Sequence, residues 1–193
     1  MMELKTPLFK WILGILAAGF ALLLALVAYA LSSMSMFTLV MCSAGEGGIR
    51  LPPAVCETHL RVFRSSESDI DELRYGGLDP VLNMQDERKY DIALFLLDNG
   101  LDVDEPNQYG DPDSDATPLH LSVLYNDPER AQFLLEQGAD LGVTSDDFDG
   151  MTPLDLAFHF KSVDPDKDFQ PIIQVLESEA TMTENTTSPL KNQ

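Results

Sequence analysis

The chain is short of positive charge. Its 193 residues hold 12 Lys and Arg against 32 Asp and Glu, a formal charge of −20. From Ala44 onward the imbalance is 31 acidic to 10 basic residues. A surface this negative repels phosphate backbones, so nucleic acid is excluded as a partner. It also argues against docking of this part on anionic lipid. A basic protein partner fits the charge, and so does solubility alone.

Cysteine is scarce. Cys42 and Cys56 are too few for a disulfide framework and match no zinc spacing. An oxidising compartment would allow one bridge between them; two free thiols are the alternative. Histidine is scarce too: His59, His120 and His159 have no partner at metal-ligand spacing, and HExxH is missing. GxSxG, a P-loop and a dinucleotide fingerprint are also missing. Carboxylates abound, but a catalytic one needs surroundings that shift its pKa, and nothing in the sequence predicts them. Asp111-Pro112-Asp113-Ser114-Asp115 opens like a calcium loop, yet Ala116 stands where glycine is needed and Ser122 where the closing Glu belongs. The chain therefore reads as a non-enzyme with no cofactor and no metal.

Charge is missing altogether from Trp11 to Gly45. Within this stretch residues 11–31 are apolar and free of proline. Such a helix is about 30 Å long, the thickness of a bilayer core. Trp11 and Tyr29 suit the two interfaces, and Lys5 and Lys10 precede the span. The positive-inside rule then leaves residues 1–10 in the cytoplasm and puts the acidic part outside. Two rivals share that orientation: a cleaved signal ending near Ala28-Tyr29-Ala30, and a lipoprotein at Cys42. The expected location is the inner (plasma) membrane, single-pass, with a periplasmic or extracellular C-terminal domain and a juxtamembrane linker over 32–55.

The acidic part repeats itself. Thr117-Pro118-Leu119-His120-Leu121 returns as Thr152-Pro153-Leu154-Asp155-Leu156, 35 residues later. Thr117 and Thr152 suit helix caps, with proline next at the first helical position. Gly100 and Gly138 follow apolar helices and suit left-handed ends. Gly150 falls in the turn before the second copy. These residues resemble the ankyrin repeat, in which a turn and T-P-L-H lead into two helices and a closing G-A-D. The resemblance is to a bacterial, membrane-anchored, extracytoplasmic type. It implies an all-α chain: an N-terminal transmembrane helix, then an ankyrin-repeat solenoid of about four helix-turn-helix units. That array spans 56–178, with repeats near 56–78, 79–104, 117–141 and 152–178, ahead of a disordered tail over 179–193. Asp79-Pro80-Val81-Leu82 stands where T-P-L-H would be.

The same resemblance implies a binding role. Partners of such arrays meet the turn tips and first helices, which here carry Asp113, Leu124, Tyr125, Phe148, Asp149, Met151 and His159. Phe148 and Phe160 have an alternative place, folded back on the repeat stack. The expectation is a tethered module that captures a protein, such as an exported toxic enzyme met by an immunity protein. Alternatives are a scaffold or accessory subunit in a membrane complex, or a role like that of the periplasmic ankyrin proteins that accompany catalase.

Overall fold

The computed structural model describes residues 5–187, with side chains placed over 9–182. Helix α1 (Lys5–Ser32) leads the chain. Its stretch Phe9–Ser32 is long and apolar enough to cross a membrane. The last turns differ from the rest: Leu31 is buried and Val27 packs on the same core. The domain thus begins inside α1.

Residues 32–55 are not a linker. Ser35 caps α2 (Met36–Ser43) by accepting from Thr38 N at 3.3 Å. Met36, Leu39, Val40 and Cys42 are fully buried there, and α2 packs on α3 (Pro53–Phe63) and α4 (Glu67–Arg74). Each of the three larger side chains contributes roughly 1.5–3 kcal/mol by leaving water. The stretch reads as a stem because it is uncharged and adjoins the span, but it has one apolar face and the first helix pair has a face to cover. The Cys42–Cys56 disulfide joins α2 to α3, with Cα atoms 5.8 Å apart.

Three further helix pairs follow: α5 (Asp79–Leu82) with α6 (Lys89–Asp98), α7 (Pro118–Tyr125) with α8 (Pro128–Glu136), and α9 (Pro153–Val163) with α10 (Gln170–Thr187). Among the described residues there is no strand beyond an isolated antiparallel bridge, Ser145 to Met151. Thr117 caps α7, and Thr152 forms a reciprocal capping box with Asp155 on α9. Helix α9 packs on α7, and α10 on α8. The leading pair begins at Pro53, three residues before the expected Cys56.

Helix α10 continues to Thr187, past residue 178 where a disordered tail was expected. Ile172, Ile173 and Leu176 anchor its first turns in the core. No glycine or proline interrupts the chain between Pro171 and Pro189, so the polar remainder propagates the helix. Residues 188–193 of the expected tail lie outside the described residues.

The short turn at Gly77 to Asp79 leaves a gap that a distant loop fills. Gln108 N donates to Tyr75 O at 2.9 Å, and the Tyr109 ring meets Tyr75 edge-on at 5.3 Å. Gly77 has φ +55°, and a Cβ there would strike the Glu105 carbonyl; one on Gly76 would strike the Tyr109 ring. Only glycine permits both the left-handed turn and this approach.

Candidate interaction surface

The turn tips and first helices form the face on which the candidate residues lie. Two aspartates stitch successive tips together. Asp147 Oδ2 accepts from Ser114 Oγ at 2.7 Å and from Asp115 N at 3.2 Å. Asp115 returns the contact, accepting from Ser145 Oγ at 2.7 Å and Asp146 N at 2.9 Å. The Asp146 N–H and the Ser145 hydroxyl hold the Asp115 carboxyl below its usual range.

Beneath the tips His120 is fully buried. Its Nε2 lies 3.0 Å from Met151 O and its Nδ1 2.9 Å from Thr117 Oγ1. A carbonyl can only accept, so the proton sits on Nε2, and Nδ1 accepts from the threonine hydroxyl. Burial lowers the His120 pKa, against the opposing pull of Met151 O, Asp115 and Asp147. Farther along, Asp104 accepts from Asp140 N at 3.0 Å, and burial raises its pKa.

A buried ion pair ties the second repeat to the third. Arg130 on α8 places Nη2 2.5 Å from Asp79 Oδ1, with side chains only 1% and 4% exposed. Arg130 Nη1 donates to Asn83 Oδ1 at 2.9 Å. Asp79 Oδ2 accepts from Asn83 at 3.0 Å and from Asn107 at 2.7 Å. Tyr125 lies across the guanidinium, 5.3 Å from ring centre to Cζ. Asp79 stands at the T-P-L-H threonine position, so the departure from the motif supplies a counter-charge. Sequence reasoning missed this because the partners are 51 residues apart.

The sequence-predicted contact residues divide into two groups. Leu124 and Tyr125 at the end of α7, His159 on α9, and Asp113 and Asp149 at the tips are exposed. Leu124 and His159 are equivalent positions on neighbouring first helices. Phe148 and Met151 are half-buried against the core. Phe148 stacks on His120 at 5.9 Å, and Met151 serves the repeat through its carbonyl. Phe160 also turns inward and stacks on Phe169 at 5.8 Å. Of the motif residues, Thr117, Pro118, Leu119, His120 and Pro153 are buried, Thr152 and Leu154 half-buried, and Gly138 and Gly150 exposed with positive φ.

Phe158 was missed. It is exposed beside His159, although its counterpart 35 residues earlier is the fully buried Val123. That pairing was visible in the sequence; what was not visible is that this position on α9 stays 44% exposed.

The tips remain strongly negative. Residues 101–150 contain one basic side chain, Arg130, and it is buried. Asp111, Asp113, Asp146 and Asp149 are exposed at the tips, and Leu124, Tyr125 and Phe158 are exposed on the first helices. Among the described residues no group of three His, Cys, Asp or Glu is placed to hold a metal ion.

Residues 83–165 match the family model for ankyrin repeats (3 copies), which leaves α1 to α5 and α10 outside the match. The chain is also similar to Rabankyrin-5 of Mus musculus and of Homo sapiens, 38% identical over 79 residues in each case. Those alignments cover 37% of this chain and 7% of the relative, so the chain spans a small fraction of the curated proteins it matches.

Proposed function

We propose that the chain, whose residues 83–165 match the ankyrin-repeat model, is a non-enzymatic ankyrin-type protein-binding module anchored by α1 and facing the outside of the cytoplasmic membrane. It captures a basic protein, such as an exported effector, in an immunity-type role. The observation that carries this reading is the exposure of Leu124, Tyr125, Phe158 and His159 on the first helices, together with exposed aspartates and no basic residue at the tips. The buried Cys42–Cys56 bridge supports an oxidising compartment. One feature favours a second role as an accessory subunit of a membrane complex: α1 enters the domain core without a flexible linker.

The test is purification from native membranes in mild detergent with identification of what accompanies the protein. A stoichiometric basic exported protein is the expected companion; recovery of integral membrane subunits alone would overturn the capture reading. Alanine at Leu124 or Phe158 is expected to weaken that companion's binding about 5–30-fold each, leaving thermal stability unchanged. Tyr125 and Phe148 are unsuitable probes, since one covers Arg130 and the other packs on His120.

A further inference from the structure

Helix α3 has two apolar faces. Cys56 and Leu60 point into the core and are fully buried. On the flanking side, about a quarter turn round the helix, Val55, His59, Val62 and Phe63 recur at helical spacing, with Val62 61% and Phe63 68% exposed. The side opposite the core carries Thr58 and Arg61, as on an ordinary surface helix, so the exposed apolar stripe lies between the polar and the buried faces. Scattered exposed apolar residues are ordinary, but this stripe adjoins the end of the apolar helix α1. Phe63, His59, Arg64 and Glu72 line an open cleft of about 900 Å³, part polar and part apolar, beside Ala28 and Ser32 at the end of α1. Ala28 lies one turn inside that end, about 6 Å along the helix axis.

The angle between α1 and the domain is held. Arg64 Nη1 donates to Met34 O at 2.9 Å, and Glu72 accepts from Met36 N at 2.8 Å. Arg64 also pairs with Asp69 and Glu72. This clamp spans the bend between α1 and α2, and Leu31 locks it from within. The outer face of α3 is therefore fixed beside the last turn of α1.

Charge points the same way. Residues 36–64 carry three arginines, Arg50, Arg61 and Arg64, against Glu46 and Glu57. Residues 65–193 carry 29 acidic residues against 7 basic. The acidity that opposes lipid contact begins only after α3.

We propose that α3 lies on the outer surface of the bilayer, with Val62 and Phe63 in the boundary between headgroups and acyl chains. Interfacial helices bury their apolar face about 5–10 Å deep, which matches the depth of the last turn of α1. The domain is thereby held against the membrane at one orientation, and its acidic tips are carried by the later repeats. This rests on the reading of α1 as the anchor.

Trp11 is the chain's one tryptophan, so fluorescence separates the two claims. The full chain is reconstituted into phosphatidylcholine vesicles with bromine on the acyl chains near the headgroup. Native protein reports on α1 through Trp11; Trp11→Phe with Phe63→Trp reports on α3, and Trp11→Phe with Val62→Trp repeats the measurement from the same face. Both reporters on α3 are expected to lose at least about half their emission relative to unbrominated vesicles. If Trp11 is quenched and neither α3 reporter is, the docking of α3 is wrong and the anchor stands. If Trp11 escapes quenching, the anchor reading falls and the docking with it.

Discussion

Replacing Asp79 with alanine strands a guanidinium. Arg130 is almost fully buried, and its Nη2 bonds to Asp79 Oδ1 at 2.5 Å. Asp79 also accepts from Asn83 and Asn107, so the substitution removes three hydrogen bonds and the counter-charge together. Asn83 Oδ1 and the Tyr125 ring remain beside Arg130, but neither carries a full negative charge. Breaking one side of a buried pair costs about 3–5 kcal/mol. A domain of this size is stable by about 5–15 kcal/mol, so the loss is a large part of the whole. At about 2–4 °C per kcal/mol, the midpoint of thermal unfolding is expected to fall by ~6–20 °C. The assay is loss of helical circular dichroism from the full chain in detergent on heating. Asp79→Leu combined with Arg130→Met removes both charges and is expected to cost less than Asp79→Ala alone. A fall under about 2 °C for Asp79→Ala, or a double variant no better than the sum of its singles, would refute the argument.

The Cys42–Cys56 bridge closes a separation of 14 residues between α2 and α3, for which chain entropy predicts about 3 kcal/mol. Reductant is expected to lower the unfolding midpoint of the native protein by ~6–12 °C and to leave a Cys42→Ala, Cys56→Ala variant unmoved. His120 is neutral in the fold, with its pKa lowered from 6.5 by burial. Below that pH the unfolded chain takes up a proton that the fold resists. The stability His120 contributes is thus full above pH 6.5 and falls as the pH drops toward its lowered value, by at most about 1.4 kcal/mol per pH unit. Denaturant unfolding of His120→Gln across this range should show a shallower slope, keeping the part due to His59, which burial and Arg64 shift in the same direction. An unchanged slope would remove His120 from the account.

Several features were legible along the chain because short-range chemistry determines them. An uncharged apolar run makes a helix whatever surrounds it. Thr117 and Thr152 cap their helices through residues three positions away, and the 35-residue recurrence marks the repeat. The acidity of the tips is likewise a matter of counting. Tertiary structure decided what periodicity leaves open, namely which neighbour covers each apolar face. It drew α2 into the core, set Phe148 on His120 instead of in solvent, and left Phe158 uncovered where its counterpart Val123 is buried. It also joined Asp79 to Arg130 and laid Tyr109 over Gly76. Those contacts join residues dozens of positions apart, and a local pattern does not register them: the free energy of a buried face or charge depends on what the folded chain brings against it.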